Sequence, residues 1–185
     1  MAWFGDPSDD DKPVNILVVC IGNICRSPLA EQLLRAKVGD RFTLASAGLY
    51  AVQDQPMDPM SAQRSLRYGG DPTGALGDQF TEEHAKWADL ILTMTESQRN
   101  ELVQRHPRAS LRTFTIAEFA RLAEATSEGD PAPRKRIERA TRNRGMIRLG
   151  SADDVVDPIG ASAEVHDQVA TQIVNYVDRI AQILT

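Results

Sequence analysis

Residues 14–29 read VNILVVCIGNICRSPL, an apolar, β-branched run that breaks into a glycine-containing turn and then a serine-proline pair. The run from Val14 to Val19 has the make-up of a buried strand, and Pro28 suits the first position of a helix. Leu29, Ala30, Leu33, Leu34 and Val38 then recur at helical spacing before Gly39, a fitting stop. The unit is strand, tight loop, helix. Further along, strands are predicted over 42–47, 90–94 and 111–115, and helices over 59–68, from Thr81 on, over 96–105 and from Ile116 on. Val165, Val169, Ile173, Val177, Ile180 and Leu184 form one stripe of a long final helix. Strands alternating with helices indicate an α/β fold, a parallel sheet flanked by helices on both faces, with ligands at the carboxyl ends of the strands. Cys20 falls at such an end.

The 185 residues fit one domain, expected over 14–185, preceded by a flexible acidic tail over 1–13. Hydrophobic residues at 42% and charged residues at 25% describe an ordinary globular chain, and no apolar run approaches the ~20 residues needed for membrane insertion. The start MAWFGDPSDDDKP lacks the basic and apolar stretches of an export signal, so a cytoplasmic location is expected. Three histidines without paired-ligand spacing to the two cysteines, Cys20 and Cys25, give no reason to expect a metal, and no cofactor is expected. A net charge of −5 speaks against nucleic acid as a partner. One segment runs against that charge: RKRIERATRNRGMIR, Arg134 to Arg148, holds seven basic residues within a basic insertion at about 126–150. Either it is a solvated or mobile face, or it lies beside the mouth of a binding site and draws acidic ligands by long-range attraction.

The loop from Cys20 to Arg26 has C-x5-R spacing. A tight loop running into a helix turns successive backbone N–H groups inward as a nest for an anion, so Ile21, Gly22, Asn23, Ile24, Cys25 and Ser27 are candidate phosphate-binding residues. Gly22 would permit the turn. Arg26 adds a planar fork for two phosphate oxygens, and the positive surroundings favour the thiolate of Cys20, the nucleophilic form. The spacing alone is a weak signal; its place between a strand and a helix start makes it strong. A leaving oxygen needs a proton, and Asp157 in VVDPIG is the best candidate, with Asp153 and Asp154 as alternatives. Cys25 either forms a disulfide with an oxidised Cys20 or packs beneath the loop.

These residues together resemble the low-molecular-weight protein tyrosine phosphatase family, through VVCIGNICRSPLAE, SAG at Ser46 to Gly48, ADLILTMT around Leu90 and the late Asp-Pro. The resemblance implies a four-stranded parallel sheet, Cys20 as nucleophile, Arg26 on phosphate, Asp157 as general acid and a phosphoprotein substrate made by a cognate tyrosine kinase. It also implies that Asn23 shapes the loop, that Ser27 donates to the thiolate and that Ser46 supports Asn23. Where the family often has a histidine supporting that asparagine, Ala75 stands here, so support must come from elsewhere or be weaker. The aromatics that commonly follow Asp-Pro are replaced by Ile159 and Gly160, and DPIGAS resembles the bacterial branch that contains protein arginine phosphatases. In those phosphatases threonine occupies the position of Ile24, whose apolar wall suits a phenyl ring instead; Tyr50 could supply a further ring contact. Two other readings are open: a thiol-coupled arsenate reductase of the same fold, and a non-catalytic phosphoprotein-binding module.

Overall fold

The computed structural model describes residues 12–126, 132–146 and 153–185. The expected acidic tail and most of the linker leading into the insertion lie outside these residues. Four strands, β1 (Val14–Cys20), β2 (Phe42–Gly48), β3 (Leu90–Thr93) and β4 (Thr113–Thr115), form one parallel sheet in the order β2-β1-β3-β4. Among the described residues seven α-helices accompany them: α1 (Arg26–Lys37), α2 (Pro59–Arg67), α3 (Glu82–Trp87), α4 (Glu96–Arg105), α5 (Ile116–Thr126), α6 (Pro133–Arg142) and α7 (Ala163–Leu184). From β1 the chain goes first to one side of the sheet and later to the other. The crevice outside the carboxyl end of β1 is therefore the topological switch point, where such sheets bind ligands.

Strand alternation explains why β1 reads as an unbroken apolar run from Ile16 to Cys20. Ile16, Val18 and Cys20 face one layer with Leu33, Phe119 and Ile173, while Leu17 and Val19 face the other with Phe80 and Leu102. With both faces covered, every position from Ile16 to Cys20 is apolar, and only Asn15, at the half-buried start of the strand, is polar. The fourth strand is shorter than the sequence predicts. Pro107–Arg112 coils into a 3-10 helix, with proline in its first turn, and Arg112 reaches back to the Ala85 carbonyl, so only Thr113–Thr115 remains to pair.

Where it is described, over residues 132–146, the basic stretch packs against the amino end and the β4 edge of the sheet. Pro133 opens α6, whose Ile137 and Ala140 are buried, and the Arg134 guanidinium grips both oxygens of Asp89, just before β3 at the amino end of the sheet. Arg144 binds the Ser110 and Thr113 carbonyls at 2.9 and 2.6 Å, stacks on Phe114 at 4.4 Å and pairs with Glu118, which Arg99 also holds. These arginines are structural cations at the end and edge of the sheet remote from Cys20. For Arg134 and Arg144 the other expected approach, to the mouth, gives way to these pairings, because a guanidinium finds better partners in buried or half-buried carboxylates and strand-end carbonyls than in water.

Candidate active site

Between β1 and α1 the chain curls so that its carbonyls point outward. Those of Cys20, Ile21 and Gly22 accept from the backbone N–H groups of Leu49, Tyr50 and Val52, and that of Ile24 accepts from Asp58. Since C=O and N–H of a trans peptide point oppositely, the N–H groups of Ile21, Gly22, Asn23 and Cys25 are turned to the inside. The Asn23 N–H lies 3.3 Å from Cys20 Sγ. The first turn of α1 carries no acidic residue, so its positive end adds to this nest uncompensated. Of segment 49–58, the outer wall that holds the loop's carbonyls, only Tyr50 was named from the sequence, and for its ring rather than for its backbone. The wall's one sequence signal is Gly48: a Cβ there would stand 2.5 Å from the Ile21 carbonyl oxygen, closer than any side chain allows.

The turn itself falls on Asn23 rather than Gly22. Asn23 has a φ of 55°, the left-handed region, whereas Gly22 does not. Asparagine tolerates this conformation when its side chain is fixed by local hydrogen bonds. Here Oδ1 accepts from the Asp78 N–H at 2.7 Å, and a backbone N–H can only donate, which fixes the amide's orientation. The Nδ2 group therefore donates to Ser27 Oγ and Ser46 Oγ, both at 2.9 Å. Ser27 accepts from Asn23, so its own hydrogen is left for Cys20 Sγ, 2.9 Å away. Asp78 thus does the work that Ala75 cannot: the support missing from the side chain at 75 comes from a main-chain donor three residues on.

Arg26 is buried, with Nη1 on the Val155 carbonyl at 3.0 Å and Nη2 on Asp157 Oδ2 at 2.5 Å. Its Nε is buried without a hydrogen-bond partner among the described residues. A buried guanidinium N–H left unmet is costly, and an anion in the nest would meet it. Asp157 is the acid that reaches the loop. Asp153 instead clasps Arg121, and Asp154 caps α4 through the Glu96 N–H. These two anchors, with the Val155 N–H on the Met94 carbonyl, hold the chain on either side of β3's end and aim the next residues at Arg26.

Both cysteines are free and buried. Burial pushes the Cys25 thiol up to about 12, against a lowering hydrogen bond with Ser61, with smaller upward contributions from Asp58, Cys20 and Asp157. Ile24 is half-buried on the rim. Tyr50 meets the loop through its backbone; its exposed ring is covered by Arg105 at 4.9 Å and its hydroxyl donates to Glu101 at 2.7 Å.

A cysteine, an arginine and an aspartate thus stand around a ring of inward backbone N–H groups at the switch point of a parallel sheet. Residues 15–144 match the model of the low molecular weight phosphotyrosine protein phosphatase family, and the chain belongs to that family. It is 28% identical over 170 residues to a protein-arginine-phosphatase of Geobacillus stearothermophilus, covering 92% of this chain and 95% of that one. To the low molecular weight protein-tyrosine-phosphatase Etp of Escherichia coli strain K12 it is 33% identical over 140 residues, 75% of this chain and 90% of the relative. The structure of the tyrosine phosphatase Wzb from Escherichia coli K30 in complex with sulphate superimposes with a TM-score of 0.70 at 26% identity, covering 92% and 98% of the two chains. Among the described residues no helix is long and apolar enough to cross a membrane.

Proposed function

We propose that the protein removes phosphate from phosphotyrosine in protein substrates through a phospho-cysteine intermediate. Cys20 Sγ attacks phosphorus in line, the S–P bond forms as the P–O bond breaks, and the departing phenolate takes the proton of Asp157. A water then attacks the phospho-cysteine and gives its proton back to the Asp157 carboxylate, releasing inorganic phosphate and the thiolate. Arg26 and the inward N–H groups hold the equatorial oxygens throughout. The observation that carries this reading is the sulfur itself, which receives the Asn23 N–H and the Ser27 hydroxyl at the floor of the nest. We assign the reaction to the cytoplasm, with a tyrosine kinase supplying the phosphoprotein. Cys20→Ser should abolish turnover of an aryl phosphate while retaining phosphate binding; substantial turnover by that variant in pure protein would overturn the mechanism.

Arginine phosphatase activity is the second reading, favoured by the Geobacillus stearothermophilus relative and the DPIGAS loop. Against it, Ile24 offers no polar partner to a guanidinium, and unmatched donors cost ~1–3 kcal/mol. Measured on peptides bearing each group, kcat/KM should favour phosphotyrosine, and Ile24→Thr should move the ratio toward phosphoarginine. A wild type that already prefers phosphoarginine would decide for the second reading.

A further inference from the structure

Gln79 carries a half-buried amide that the reaction above does not use. It follows Asp78, whose N–H holds Asn23, and it stands behind the stretch 49–52 that keeps the loop's carbonyls turned outward. Two main-chain anchors tie that wall to the segment behind it. At one end Gly48 and Gln79 form a parallel bridge, with the Gly48 N–H on the Asp78 carbonyl at 2.8 Å and the Phe80 N–H on the Gly48 carbonyl at 2.9 Å. At the other, the Asp54 N–H donates to the Gly77 carbonyl at 2.9 Å and the Gly77 N–H to the Gln55 carbonyl at 2.8 Å. Past Phe80, which is buried, Thr81 turns the chain into α3, so main-chain pairing with the wall ends there.

Between the two anchors the Gln79 side chain takes over. Its Oε1 accepts the Ala51 N–H at 3.0 Å, and its Nε2 donates to the Leu49 carbonyl at 3.0 Å. A backbone N–H only donates and a carbonyl only accepts, so the two contacts agree on the amide's orientation and use both of its ends. The side chain serves as one more peptide group, continuing the bridge beyond Gly48. In front of the wall, the N–H groups of Leu49, Tyr50 and Val52 go to the carbonyls of Cys20, Ile21 and Gly22, at 2.9, 3.0 and 2.9 Å. The Ala51 N–H goes the other way, to Gln79. The loop therefore holds the wall from one side and a single amide holds it from the other.

We propose that Gln79 is a positioning residue of this site: its amide clamps Leu49 and Ala51, and through them keeps the carbonyls of Cys20, Ile21 and Gly22 turned out and the loop's N–H groups turned in. This rests on the reading of the loop as a phosphate nest. A trans peptide keeps C=O and N–H opposed, so a loop carbonyl whose outer partner wanders frees the N–H behind it to swing out of the nest. Gln79 touches neither the anion nor the sulfur, and its removal is felt as lost anion affinity.

Sulfate binding to Cys20→Ser protein, measured by calorimetry, reads the shape of the nest without turnover. Adding Gln79→Leu, which keeps the bulk and loses both hydrogen bonds, should weaken sulfate binding about five- to thirtyfold, the effect of two hydrogen bonds passed on in part. Gln79→Glu keeps an acceptor for Ala51 but has no hydrogen for the Leu49 carbonyl, and should also weaken it. Amide hydrogen exchange, followed residue by residue by NMR in sulfate-free protein, shows whether the loss travels through the wall. The Tyr50 and Val52 N–H groups, which do not touch Gln79, should exchange faster in the Leu variant, by a factor comparable to the loss of affinity. Unchanged sulfate affinity in a folded Gln79→Leu protein, even one with a lowered melting temperature, would reduce Gln79 to packing and overturn the proposal. Weakened binding with Tyr50 and Val52 exchanging as in the parent overturns it too. Should Gln79→Leu not fold, the isosteric Gln79→Glu decides by the same two measurements. Failure of the Cys20→Ser parent to bind sulfate would instead overturn the loop's reading as an anion site.

Discussion

Replacing Asn23 separates the two things that residue does for the loop. In Asn23→Ala the backbone must still adopt a φ of 55°, which costs an L side chain without local hydrogen bonds about 1–2 kcal/mol. Three buried or part-buried hydrogen bonds vanish as well, to Ser27, Ser46 and Asp78, each contributing about 0.5–1.5 kcal/mol. Together the loop's shape loses roughly 2.5–6.5 kcal/mol of support. Part of that is recovered as the loop relaxes and the freed groups find water, so the cost appears mainly as lost activity. Asn23→Gly loses the same side-chain bonds but carries no steric penalty at positive φ. The difference between the two variants is then the strain alone, and 1–2 kcal/mol corresponds to about 5- to 30-fold in rate. We expect kcat/KM for an aryl phosphate to fall by about 10²–10³ in Asn23→Ala, and Asn23→Gly to regain about 5- to 30-fold of that loss. Urea unfolding of both variants, run in parallel, checks that the loss is not global instability. An Asn23→Ala enzyme within threefold of wild type, or an Asn23→Gly enzyme no better than it, would refute the reasoning.

Asp157→Asn should slow turnover by ~10²–10⁴ with poor leaving groups and much less with activated aryl phosphates, which need little protonation; an equal loss across a leaving-group series would remove Asp157 from the acid's role. The raised Cys25 thiol predicts that alkylating reagents at pH 8 modify Cys20 and spare Cys25, which peptide mapping reads directly. The same shift makes stability pH-dependent: the contribution is complete below pH 9.0, where the unfolded thiol is also protonated, and is lost as pH rises toward 12. Cys25→Ala should therefore show a shallower alkaline fall in melting temperature than wild type. Arg134→Ala should lower stability through the loss of its bidentate hold on Asp89 while leaving aryl phosphate kinetics unchanged, since that pair sits at the amino end of the sheet. A changed KM for acidic phosphopeptides in that variant would return the basic segment to the site.

The chain's local sequence carried the strand, loop and helix around Cys20 because each obeys a short-range rule. An apolar run buried on both faces, a proline that suits a first helical turn and the C-x5-R spacing all lie within sixteen consecutive residues. Cys20, Arg26 and Asp157 were legible for that reason, the last through its Asp-Pro turn. The structure alone decided which partners complete them. Asn23 rather than Gly22 takes the left-handed turn because Asp78, fifty-five positions away, donates to its side chain. Asp157 rather than Asp153 or Asp154 faces Arg26 because the other two are spent on Arg121 and the start of α4. The basic stretch reads as a solvated or guiding face until Asp89 and Glu118 are brought to it. Local pattern fixes backbone conformation over a few residues, whereas the pairing of a buried charge or donor depends on which distant segment the fold brings within about 3 Å of it.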